Sequence, residues 1–193
     1  MDAAGVLDEI GQAVTADLVT ADLATGDQVM AIVVPRGSHG AYSEYIVVPI
    51  ESVARIPSSA SLIEAATLPM NGLTARLTLD LLALQPGQTL AVTGAAGAFG
   101  GYVVQLAKAD GLRVIGDASA ADAPLVRTLG AEVVPRGEGV AERIRALVPV
   151  GVDGLADGAL LHGHALAAGR AVVRWPQCAL FRSIPSGASP FTR

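Results

Sequence analysis

In the first part of the chain the apolar positions come in short runs, each closed by Gly or Pro, a pattern that predicts strands. Gly5 to Ile10 is one such run, followed by Gly11. Asp27 to Val34 (DQVMAIVV) follows the turn pair Thr25-Gly26, and Ala41 to Val48 (AYSEYIVV) ends at Pro49. The last run is rich in aromatic and β-branched residues, the types that suit a pleated, half-buried surface. No helical periodicity interrupts these runs, so a small barrel or sandwich is expected here.

The pattern changes after residue 60. In Ser61 to Ala66 a serine is followed three positions later by Glu64, the signature of a reciprocal cap at a helix start. Gly72 to Leu84 then places Leu73, Leu77, Leu81 and Leu84 on one helical face, and Pro86-Gly87 is a turn. Beyond it, strand and helix patterns alternate. Strands are expected at Thr89 to Thr93, Leu112 to Gly116, Glu132 to Val134 and Val152 to Ala156. Helices are expected at Tyr102 to Asp110, Ala121 to Leu129 and Gly139 to Val148. Such alternation predicts an α/β fold, a doubly wound parallel sheet with right-handed crossovers. From about Gly169 the chain changes style again. Trp175, Cys178, Phe181 and Phe191 fall in a segment without clean periodicity, which reads either as an irregular tail or as a non-native one.

Candidate chemistry concentrates at Gly94-Ala95-Ala96-Gly97-Ala98-Phe99-Gly100, a G-x-x-G-x-x-G between a buried strand and a helix. Alone the pattern is weak; a strand before it and a βαβ unit around it make it specific. The strand must turn tightly into the helix, the backbone N–H groups must approach a pyrophosphate closely, and the helix must pack closely on the sheet. Small residues from Gly94 to Ala98 meet the first two demands and Gly100 the third. The helix N-terminus adds partial positive charge.

Composition narrows the function classes. A chain of 193 residues, 51% hydrophobic and 16% charged, is globular in character. A net charge of −5 offers no basic footprint for nucleic acid. No apolar run approaches the roughly 20 residues of a membrane span. Met1-Asp2-Ala3-Ala4 does not open like a signal peptide, and one cysteine excludes an internal disulfide, so a cytoplasmic location is expected.

At the glycine turn the chain closely resembles the medium-chain dehydrogenase/reductase superfamily, and within it the quinone oxidoreductases and related enoyl reductases. The resemblance runs over roughly residues 2 to 168. It is carried by Asp2-Ala3-Ala4-Gly5-Val6, Gly26-Asp27-Gln28-Val29, Gly40-Ala41-Tyr42-Ser43-Glu44-Tyr45, Ala65-Ala66-Thr67-Leu68-Pro69, Gly72-Leu73-Thr74-Ala75, Leu84-Gln85-Pro86-Gly87 and Val104-Gln105-Leu106-Ala107-Lys108. It implies a partial GroES-like β domain over residues 1–65, an incomplete Rossmann dinucleotide-binding domain over 66–168 and an irregular tail over 169–193. It implies hydride transfer from NADPH to a small-molecule quinone, enone or similar activated double bond. An enoyl-thioester reductase and a non-catalytic dinucleotide-binding remnant are the alternatives. Relatives extend beyond both ends of the matched segment, so the expectation is a fragment with impaired activity. They are commonly homodimers, through a strand this chain lacks.

Zinc is not expected. Where zinc-dependent relatives carry a ligand histidine and a ligand cysteine, the resemblance places Met1 and Asn71; His39, His162 and His164 fall elsewhere. The resemblance implies nicotinamide-side contacts from Asn71 and Thr74 and assigns no catalytic residue. The second Rossmann strand ends Asp117-Ala118-Ser119. An acid about 20 positions past the glycines ordinarily takes the ribose 2′-OH. The family's acidic position falls at Ala118, however, and neighbours on a strand face opposite ways. Ser119 could then bond a 2′-phosphate, as in NADPH-type relatives, with Arg136 either a second phosphate partner or a solvated surface residue. NADPH is therefore expected over NADH.

Overall fold

The computed structural model describes residues 1–12, 14, 23–35, 40–159 and 178–179. The chain divides into two compact units, Met1–Thr74 and Ala75–Arg193.

The first unit holds a three-stranded antiparallel sheet in the order β1 (Asp2–Val6), β2 (Gln28–Ile32), β3 (Val53–Arg55). Val29, Ala31 and Val33 point to its buried face, the period of two expected of a one-sided sheet. The strand expected over Ala41–Val48 does not form. Tyr42, Tyr45 and Val47 are fully or largely exposed there, and no strand assignment covers those residues. β propensity without a partner strand does not make a ladder. The short Val53–Arg55 strand, with one half-buried and two exposed residues, carries too little pattern to be read in advance. α1 (Leu62–Ala65) begins with the expected cap. The Ser61 hydroxyl accepts from the Glu64 N–H at 3.3 Å, and the Glu64 carboxylate accepts from the Ser61 N–H at 2.9 Å.

α2 (Pro69–Leu82) runs across the division between the units. Its leucine stripe faces away from the core: Leu73, Leu77 and Leu81 are all more than half exposed, while Ala75, Thr78, Leu79 and Leu82 are buried. The helix carries two apolar stripes, and packing selects the one where small Ala75 permits close approach.

The second unit is a five-stranded parallel sheet in the order β6-β5-β4-β7-β8: β4 (Thr89–Thr93), β5 (Arg113–Ala118), β6 (Glu132–Pro135), β7 (Gly154–Asp157) and β8 (Cys178–Ala179). Helices α3 (Ala98–Ala109), α4 (Ala123–Thr128) and α5 (Val140–Leu147) connect them. Alternate strand residues feed two separate cores. Leu90, Val92, Val114 and Ala156 pack with Val103, Val104, Ala107 and Val126 of α3 and α4. Ala91, Ile115, Val134 and Leu155 pack with Val140 and Ile144 of α5. Helices on both faces require strands buried on both sides, which is why β4 is buried at every position. The doubly wound parallel sheet is thus as expected, with β4 at its expected bounds and the other elements differing from theirs by one or a few residues at one or both ends. β8 adds a strand inside the segment expected to be irregular; the rest of that segment, with Trp175, Phe181 and Phe191, lies outside the described residues. No helix among the described residues is long and apolar enough to cross a membrane.

Candidate functional site

The sheet order reverses direction at β4, whose neighbours are β5 on one side and β7 on the other. In open α/β sheets the crevice outside the carboxyl ends of the strands at such a reversal is where ligands sit. Here that crevice is built from the glycine turn. Gly94, directly after β4, has φ +67°, the left-handed region that a side chain makes costly. A Cβ on Gly94 would also stand 2.9 Å from the carbonyl carbon of Gly158, the residue after β7. The two strand ends are tied there: the Gly158 N–H donates to the Thr93 carbonyl at 3.0 Å, and the Thr93 hydroxyl donates to the Asp157 carboxylate at 2.5 Å.

The Gly97 N–H donates to the Gly94 carbonyl at 2.9 Å. Gly97 is the N-cap of α3 and, being glycine, caps it with no side chain. The N–H groups of Ala98 and Gly100 in the first turn have no carbonyl of their own helix to reach. Gly100 is buried against the turn itself; a Cβ there would lie 2.2 Å from the Gly94 oxygen and 2.9 Å from the Ala95 Cα. Ala95 is fully buried and Ala96 is packed against the same core. Ala98 is exposed. The Phe99 ring covers Gly158, where an added Cβ would meet its Cδ1 at 3.1 Å. The result is a helix N-terminus with backbone donors and no side chain at Gly97 or Gly100, at which an anion gains both hydrogen bonds and the helix dipole.

Asp117 has a role that spacing alone did not reveal. It is 5% exposed, and its carboxylate accepts from the Gly94 N–H at 2.6 Å. It anchors the turn through this hydrogen bond. Gly116 makes room for this packing, since a Cβ on it would meet the Ala95 Cβ at 2.9 Å.

Ser119 and Arg136 come together at the same edge. Parallel pairing matches Val92 with Gly116 and Ala118 with Pro135, and the Arg136 N–H donates to the Ala118 carbonyl at 3.0 Å. Gly94, Ser119 and Arg136 are therefore the first residues past three adjacent strands. Arg136 is exposed. The Ser119 hydroxyl is half-buried and donates to the Asp122 carboxylate at 2.6 Å, while the Asp122 N–H donates back to it at 3.2 Å. Arg143 serves the loop instead of the crevice: its guanidinium donates to the carbonyls of Pro135 at 2.9 Å and Glu138 at 2.8 Å.

Asn71 and Thr74 lie on the first half of α2, both half-buried, in the first unit. Asn71 is inside the helix's first turn, and it is Asp2 that accepts the Met70 N–H there, at 2.5 Å. Among the described residues no group of three or more His, Cys, Asp or Glu could hold a metal ion. His39, His162 and His164 lie outside the described residues.

No family model matches the chain. Individual proteins do. A quinone oxidoreductase-like protein 2 homolog from Nematostella vectensis is 37% identical over 132 residues, which is 67% of this chain and 34% of that protein. The CurK enoyl reductase structure has a TM-score of 0.75 at 28% identity, covering 89% of this chain and 49% of that one. The quinone oxidoreductase of Thermus thermophilus, whose structures include a complex with NADPH, has a TM-score of 0.59 at 36% identity, covering 67% of this chain and 42% of that one. The chain thus spans less than half the length of each. Sheet order, glycine turn and these likenesses agree that the chain belongs to the medium-chain dehydrogenase/reductase superfamily.

Proposed function

We propose that the second unit binds NADPH at the glycine turn and that the chain belongs to an oxidoreductase reducing a quinone, an enone or a similar activated double bond without zinc. The observation that carries this is the left-handed Gly94 leading into an α3 N-terminus without a side-chain cap, at the carboxyl edge of a parallel sheet where its order reverses. Gly94 through Gly100 would hold the pyrophosphate through backbone N–H groups. Ser119 and Arg136, the first residues past the two neighbouring strands, are assigned to the adenosine ribose and its 2′-phosphate, and NADPH bound to a 36%-identical quinone oxidoreductase supports the choice over NADH. Asn71 and Thr74 are assigned to the nicotinamide end.

When bound, the nicotinamide supplies a hydride. The contribution of this chain's residues is to fix the cofactor's phosphate end rigidly, because positioning is the main lever where no Lewis acid acts. Asp117 and the Thr93–Asp157 pair keep the turn in one shape before any ligand arrives, so little ordering entropy is lost on binding.

The enoyl-thioester reductase reading is kept because the CurK enoyl reductase is matched over 89% of this chain. The proposed setting is cytoplasmic, with a small-molecule substrate.

Titration with NADPH and NADH, followed by binding and by melting temperature, tests the proposal. A ligand-dependent rise is expected, since binding to the folded state stabilises it by mass action. A cooperative melt unmoved by either nucleotide would refute it.

A further inference from the structure

The Ser119–Asp122 pair sits beside the edge assigned to the 2′-phosphate, yet its hydrogen bonding works against that ligand. The Ser119 hydroxyl has one proton, and it is given to Asp122 at 2.6 Å. One of its lone pairs is taken by the Asp122 N–H at 3.2 Å. As it stands, Ser119 has no proton left to donate to a phosphate. The acceptor holding that proton is a carboxylate, and a hydrogen bond this short to an ionised group is among the stronger kinds. A dianionic phosphate arriving next to Ser119 would meet a like charge one side chain away. Against this stands Arg136, exposed and one strand over, with its N–H on the Ala118 carbonyl. The carboxylate is half-buried rather than fully solvated, so solvent screens it less than it would a surface acid. Asp117, the acid at the usual spacing, is engaged with the Gly94 N–H.

We infer that Asp122 is a specificity-determining residue that limits preference for NADPH by withholding the Ser119 proton and opposing the 2′-phosphate charge. This rests on the proposal that the dinucleotide binds at the glycine turn. Asp122→Asn keeps an oxygen acceptor in the loop, removes the charge and adds an N–H donor toward the phosphate. Ser119→Ala tests whether the hydroxyl is already committed.

The experiment is the dissociation constant of the full 193-residue chain for NADPH and for NADH, measured by the same titration for wild type, Asp122→Asn, Ser119→Ala and the double variant. Asp122→Asn should tighten NADPH by about five- to tenfold and leave NADH within about twofold, the size of one charged contact. Ser119→Ala should weaken NADPH more in the Asp122→Asn background than in the wild-type background, where the carboxylate holds the hydroxyl proton, so the two changes should not be additive. NADH is the internal control for folding, since structural damage would weaken both nucleotides together. An unchanged NADPH-to-NADH ratio in Asp122→Asn, or equal shifts in both, would overturn the inference while leaving the glycine-turn proposal intact. Binding of neither nucleotide to any of the four proteins would overturn the glycine-turn proposal, and this inference with it.

Discussion

Gly100 and Gly101 are neighbours on α3, and the structure assigns them opposite responses to the same added methyl. A Cβ at Gly100 would lie 2.2 Å from the Gly94 oxygen, 2.8 Å from the Gly94 carbonyl carbon and 2.9 Å from the Ala95 Cα. All three are backbone atoms, so no side-chain rotation relieves the overlap. The helix or the turn would have to move by about 0.8 Å to reach even a 3.0 Å approach, and overpacking of that kind costs about 2–3 kcal/mol. At Gly101 the nearest atoms are the Leu129 Cδ1 at 3.6 Å and the Ala95 oxygen at 3.8 Å, ordinary contacts. Alanine there gains helix propensity of about 0.5–1 kcal/mol. For a chain of this size Gly100→Ala should lower the melting temperature by about 5–10 °C and Gly101→Ala should raise it by about 1–4 °C. Circular dichroism melts of the two variants check this, and NADPH titration of Gly100→Ala should show weakened binding because the displaced atoms belong to the turn. A Gly100→Ala protein melting within about 1 °C of wild type, or a Gly101→Ala protein destabilised as much as it, would refute the close packing of helix on turn.

The other predictions concern the supports of the site and of the fold. Asp117→Ala should cost about 1.5–3 kcal/mol, as expected for removal of a charged hydrogen-bond acceptor from a buried N–H, and Asp117→Asn should recover part of it by retaining an oxygen; urea melts distinguish the two. The Ser61 N–H, and then its hydroxyl, hold the Glu64 carboxyl below the usual carboxylate range. A lowered folded value means that the stabilisation is present at neutral pH and is lost as pH falls through that lowered value, so the stability curves of wild type and Glu64→Gln should differ near neutrality and converge in acid. The Arg113 side-chain hydrogen bonds keep Glu132 low in the same sense, but both partners are nearly half exposed. Glu132→Gln should therefore cost less than about 1 kcal/mol, with the difference shrinking further in high salt.

Much of the second unit was legible before folding. Thr89 to Thr93 between turn residues, a glycine-rich stretch and then a helical pattern leave few alternatives, because a continuous buried strand needs helices on both faces and short connections permit one handedness. The cap at Ser61 was equally legible, since both of its hydrogen bonds are made within four residues. The first unit was read less well. Ala41 to Val48 has the composition of a strand but no strand pairing, whereas Val53 to Arg55 pairs with β2 while showing little pattern of its own. On α2 the leucine stripe and the buried stripe are both periodic, and periodicity cannot say which one meets a sheet.

The site divides along the same line. By itself the sequence determined that the strand after Gln88 must turn sharply at Gly94 into a helix whose first turn offers backbone donors, since these follow from local geometry and from residues without side chains. Tertiary structure alone decided that Gly158 closes against Gly94 and that Asp117 commits its carboxylate to the turn. Those outcomes depend on which atoms of separate strands and loops arrive within hydrogen-bonding reach of each other, and strand register, not spacing along the chain, sets that.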